Sequence, residues 1–141
     1  MSFDDDFRAC WNDAFLVGDA HIDAQHRAFF DEVNAVSTVL EQGSGREAVI
    51  DFYRAFTAAL ITHFRDEEAM LERLGYAGLE RHRGEHEALL SAVASVEGLL
   101  LTGNDLHHWR LVVRRLFAAL VDHLAGSDMR YKSLVLRSRA E

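Results

Sequence analysis

The sequence contains no proline, so nothing in it forbids long uninterrupted helices, in which an interior proline costs about 3 kcal/mol. It contains one cysteine, Cys10, which excludes an internal disulfide and fits a reducing compartment. No apolar run approaches the roughly 20 residues that cross a bilayer, and no signal peptide opens the chain. The expectation is a cytoplasmic protein, or a module of something larger, with no membrane partner. Basic residues are too few and too scattered for a nucleic-acid surface: 15 Lys and Arg against 23 Asp and Glu give a net charge of −8. Val, Ile, Leu and Phe are plentiful, which argues against disorder. At 141 residues the chain suits one domain over 1–141 with a single core.

What the chain does have is helical periodicity. From 45 to 74 the inward positions Val49, Tyr53, Phe56, Leu60, His63, Glu67, Met70 and Leu74 alternate steps of four and three, the stripe of a helix buried in a bundle. The same rhythm predicts helices over about 20–42 (Ile22, His26, Phe29, Val33, Val36, Leu40), 79–102 (Leu79, His82, His86, Leu89, Val93, Val96, Leu100) and 105–126 (Leu106, Trp109, Val113, Leu116, Leu120, His123). Asp19 is placed to cap the first helix, and Ser44 with Glu47 forms a capping-box pattern for the second. Gly84 weakens the third by roughly 1 kcal/mol relative to alanine, which close packing against a neighbour would explain. Residues 1–18 lack a stripe. Acidic Asp4-Asp5-Asp6 gives way there to Trp11, Phe15 and Val17, expected as an extended arm over the bundle. A partly basic tail follows over 129–141. Four such helices joined by short turns make an all-α, up-down-up-down antiparallel four-helix bundle.

Ionisable residues occupy core slots on every helix: His26 on the first, His63 and Glu67 on the second, His82 and His86 on the third, His123 on the fourth. Buried charges need compensation, and depth counted from the turns puts all six at one end of an antiparallel bundle. Asp128 lies five residues beyond His123, about 140° off the stripe on a regular helix. A π-bulge near Gly126, or a helix that breaks there, would return it to the cluster. Five imidazoles and two carboxylates exceed the four ligands of a tetrahedral zinc site. They suit two first-row ions, and nitrogen and oxygen donors without sulfur favour iron or manganese.

His26 within Ile22-Asp23-Ala24-Gln25-His26, His63-Phe64-Arg65-Asp66-Glu67, Tyr76-Ala77-Gly78 leading to His82-Arg83-Gly84-Glu85-His86, and His123-Leu124-Ala125-Gly126-Ser127-Asp128 resemble the motifs of the hemerythrins. The Trp11…Val17-Gly18 lead-in points to the bacterial branch. The resemblance spans roughly residues 11 to 131 and fills seven ligand positions in order. It implies a non-haem centre of two iron ions (Fe2+/Fe3+) with an oxo or hydroxo bridge. His82, His86 and His123 would saturate one ion, His26 and His63 would bind the other and leave it an open position, and Glu67 and Asp128 would bridge. O2 is the implied small-molecule ligand, and Phe29, Phe64, Leu120 and Leu124 would make an apolar pocket with few proton donors. Ala119 stands where some carriers have a large aromatic, so a wider, wetter pocket is expected.

Blander readings compete for each residue singly. A buried histidine is usually a hydrogen-bonded core residue, His82 with His86 would equally fit zinc, and a single buried glutamate is more often an ion pair. Seven at one depth make the joint coincidence remote. His21, His107 and His108 fall off the stripes and are expected in solvent; Tyr131 reads as packing or as support for the site. Three functions follow: reversible O2 carriage, storage or sensing; an enzyme acting on peroxide or nitric oxide; and a regulatory module reporting O2 or iron to another protein. No general acid or base is evident beyond the seven, which favours binding over catalysis.

Overall fold

The computed structural model describes residues 10–140; the acidic run Asp4-Asp5-Asp6 lies outside them. Four long helices, α1 (Ala20–Glu41), α2 (Arg46–Arg73), α3 (Leu79–Thr102) and α4 (Leu106–Ala125), are followed by a 3-10 turn (Asp128–Tyr131) and a short α5 (Lys132–Ala140). Contacts run α1 to α2, α2 to α3, α3 to α4 and α4 back to α1, the ring of an up-down-up-down antiparallel bundle. No helix among the described residues is long and apolar enough to cross a membrane.

The helix ends follow from local chemistry. The Asp19 side chain accepts from Ile22 N at 3.0 Å and opens α1, and Asp105 does the same for α4 through His107 and His108. The capping box expected at Ser44 and Glu47 is not formed: Gly45 is the N-cap of α2, with no side-chain bond. Ser44 is already used at the end of α1. Gly43 takes a positive φ of 67°, its N–H reaches Leu40 O at 3.3 Å, and Ser44 N–H reaches Val39 O at 3.1 Å, the paired bonds of a Schellman motif. Gly75 repeats the device at the end of α2, with its N–H on Glu72 O and Tyr76 N–H on Leu71 O.

Two apolar clusters fill the interior. The larger contains Val36, Tyr53, Phe56, Leu100, Trp109 and Phe117. The smaller, at the other end, gathers Val17, Ile22, Met70, Leu71, Tyr131 and Val135. Between them lies the layer of histidines and carboxylates. The N-terminal segment is not extended throughout: Asp13–Phe15 form a 3-10 turn capped by Asn12, because Trp11 and Phe15 both turn onto the Phe30 ring, at 5.7 and 5.6 Å. The tail is ordered as α5, held where Arg139 donates to Gly18 O at 2.6 Å.

Candidate metal centre

Seven side chains from four helices and one 3-10 turn meet in this layer. His26, Glu67, His82, His86 and Asp128 are at most 3% exposed and His63 8%, so their charge is settled by each other rather than by water. Asp128 gets there because α4 stops at Ala125. Gly126 caps it with φ −104° and ψ −78°, its N–H on Asp122 O, and the chain tightens into the 3-10 turn. A break, not a π-bulge, recovers the lost angle.

The two carboxylates each face two ways. Glu67 Oε2 lies 3.3 Å from His26 Nε2 and 3.5 Å from His63 Nε2, while its Oε1 lies 2.5 Å from His82 Nε2 and 3.0 Å from His86 Nε2. Asp128 Oδ2 lies 3.2 Å from His26 Nε2; its Oδ1 lies 3.1 Å from the Nε2 atoms of His82 and His123. The donors therefore fall into two sets, His26, His63, Glu67 and Asp128, and Glu67, His82, His86, His123 and Asp128, each with its ligand atoms within 4.8 Å. Two donors each about 2.1 Å from one ion, at right angles, stand about 3 Å apart, which is the spacing seen. The Nε2 atoms of His26, His86 and His123 and Asp128 Oδ1 are buried without a hydrogen-bond partner. Buried polar atoms are seldom left so, and these all face the two sets, so the residues fit metal ions.

The helices also orient one another's histidines. Gln25, beside His26 on α1, accepts from His63 Nδ1 on α2 at 2.8 Å and donates its amide to Asp66 at 2.8 Å. Glu68, beside Glu67 on α2, accepts from His86 Nδ1 on α3 at 2.7 Å. Glu85, beside His86 on α3, brings Oε2 to 3.3 Å from His123 Nδ1 on α4. With Nδ1 carrying the proton, the Nε2 lone pair of His63 and of His86 points inward. Tyr131 donates to Glu67 Oε2 at 2.8 Å, and Phe64 stacks on His86 with ring centroids 3.8 Å apart. A residue next to an inward ligand points about 100° away, toward the neighbouring helix. That was the available signal for Gln25, Glu68 and Glu85, which the sequence reading missed.

The charges respond accordingly. Burial alone would depress His26, but the Asp128 and Glu67 carboxylates beside its Nε2 outweigh it and raise its pKa to about 9. His82 rises to about 10 for the same reasons. Burial and the Glu67 charge oppose ionisation of Asp128, yet His123, His26 and His82 hold it down at about 2. Glu67 is likewise lowered, its four histidines overcoming burial.

A cavity of about 350 Å³ leads from this layer between α1, α2 and α4. Phe29, Phe64, Leu120 and Leu124 all line it, beside His26, His63, His123 and Asp128. Its wall is not wholly apolar, since Glu32, Gln25 and Thr62 also line it. Ala119 is not among the lining residues and is exposed on α4. His21 is exposed and meets Asp66 at 2.8 Å, and His107 and His108 are exposed.

Comparison with known proteins is consistent in kind. Residues 17–135 match the model of the hemerythrin HHE cation binding domain. The chain is 28% identical to hemerythrin subunit alpha of Lingula anatina, over 86% of this chain and 91% of that one. It is 26% identical to the myohemerythrin of Riftia pachyptila, over 94% and 98%. It is 32% identical to a bacteriohemerythrin of Ralstonia nicotianae, over 72% and 71%. The crystal structure of a hemerythrin point mutant superposes with a TM-score of 0.76 at 23% identity, covering 90% of this chain and 96% of that one, and shows the shared fold. The chain belongs to the hemerythrin HHE cation-binding domain family.

Proposed function

We propose that the chain is a non-haem iron protein that binds O2 reversibly at a centre of two ions. In this reading His26 and His63 hold one iron, and His82, His86 and His123 hold the other. Glu67 and Asp128 would be shared between the two. The observation that carries the reading is the division of each carboxylate, one oxygen toward each set of histidines. The sets are unequal, five residues against four, so the His26 and His63 side is short of one protein donor. The cavity reaches that side.

When bound, the iron pair supplies the redox couple that lets a neutral diatomic ligand be held and released. This chain's residues supply the rest. Gln25 and Glu68 fix ring orientation, Tyr131 holds Glu67 in place, and Phe29, Phe64, Leu120 and Leu124 keep the inner wall apolar. Gln25 and Glu68 are committed to the ligand histidines, and a wall with few free proton donors supports release of O2 over its reduction. Carriage, storage or sensing is therefore favoured over an enzyme acting on peroxide or nitric oxide. Metal analysis of the purified protein, followed by admission of air to its anaerobically reduced form, tests this. Two irons per chain and an oxygenated spectrum that reverses under vacuum are expected. One ion per chain, or turnover of O2 without a reversible adduct, would sink it.

A further inference from the structure

The cavity wall carries one group that a neutral diatomic ligand does not need. Glu32 lies six residues beyond His26 on α1, about 9 Å along the helix axis, half-buried and lining the same cavity. The other polar groups of that wall outside the seven are Gln25, whose amide is committed at both ends, and Thr62. Glu32 has no hydrogen bond or ion pair to any described residue. Burial, and then the charge of Asp31, raise its pKa, so the carboxylate stands where a cation would relieve it. Six of the seven residues of the centre are buried in the bundle, and a hydrated ion must have a way in.

We propose that Glu32 is an entry ligand, a carboxylate that captures a divalent ferrous ion at the cavity and passes it inward to His26 and His63. The inference rests on the two-ion reading above and adds a metal-binding position outside the final centre. Carboxylate oxygen suits a hard, still partly hydrated cation, and a charge on a cleft wall concentrates cations there.

Anaerobic mixing of ferrous iron with the metal-free protein, followed by stopped-flow absorbance and by metal analysis at the end point, tests it. Glu32→Gln keeps the size of the side chain and should slow the initial uptake about tenfold or more, with the final iron content unchanged. Glu32→Asp should recover part of the rate. Asp31→Asn removes the same charge from an exposed neighbour that lines a different pocket and should leave the rate nearly unaltered. Equal rates in wild type and Glu32→Gln, or equal slowing by Asp31→Asn, would overturn the proposal. An unchanged loading rate with altered decay of the oxygenated form would do the same, by making Glu32 a proton donor instead. If the wild type itself loads a single iron, it is the two-ion reading that fails, not this one.

Discussion

Gln25 offers the cluster no ligand atom, yet both ends of its amide are engaged: Oε1 accepts from His63 Nδ1 and Nε2 donates to Asp66, each at 2.8 Å. Removing it frees the His63 ring to rotate or to carry its proton on the inward nitrogen. Gln25→Ala should therefore weaken metal binding about 10- to 100-fold, read by competition against a chelator of known affinity. Unchanged affinity would mean that packing alone fixes the ring. His26, His63, Glu67, His82, His86 and His123 were legible in the sequence because an ionisable residue in a core slot breaks a repeating pattern. Gln25, Glu68 and Glu85 were not, because a polar residue off the stripe looks like ordinary solvated surface. Its partner becomes visible only when the next helix is in place.

Among the helices, the lengths followed from unbroken steps of three and four and Asp19 caps α1 as expected, whereas the cap of α2 did not follow. Ser44 is the instructive failure: the pattern with Glu47 was present, but the Schellman closure of α1 had prior use of the residue. Likewise the return of Asp128 depended on how Gly126 would end α4, which periodicity could not decide. Gly84 is a second correction. It lies between His82 and His86 on α3, but a Cβ added there meets nothing within 4 Å, so close helix packing does not explain it. Gly84→Ala should then stabilise the protein by about 1 kcal/mol through helix propensity alone, seen as a higher denaturant midpoint with an unchanged slope. Gly18→Ala gives the contrasting case. Its φ is +103° and an added Cβ would lie 2.7 Å from Leu136 Cδ2 on α5. The exposed Leu136 side chain can turn away from it, so the cost, about 1–3 kcal/mol, is backbone strain at that φ. A loss of stability from Gly84→Ala would show that the site itself requires the glycine.

Across the whole molecule the polar layer separates two apolar clusters, so what fills that layer governs how firmly the ends are joined. Without metal, protons take part of that role: His26 and His82, at about 9 and about 10, are charged at neutral pH against Glu67 and Asp128. The sign can be worked out for each group. The raised histidines contribute stability that is complete below their ordinary value of 6.5 and is lost as pH climbs through 9 to 10. The lowered carboxylates contribute stability that is complete above their ordinary values of 4.5 and 3.8 and is lost as pH falls, for Asp128 through about 2. The metal-free form should thus be most stable between about 4.5 and 6.5. A metal ion needs those imidazoles neutral, so loading at pH 7.5 must expel on the order of two protons per chain from them. Affinity should rise with pH up to about 9–10 and fall on acidification. Titration calorimetry in buffers of different ionisation enthalpy reads the proton count directly. Release of no protons would mean that His26 and His82 are already neutral in the metal-free layer, and that the carboxylates there are balanced by something other than their imidazolium charge.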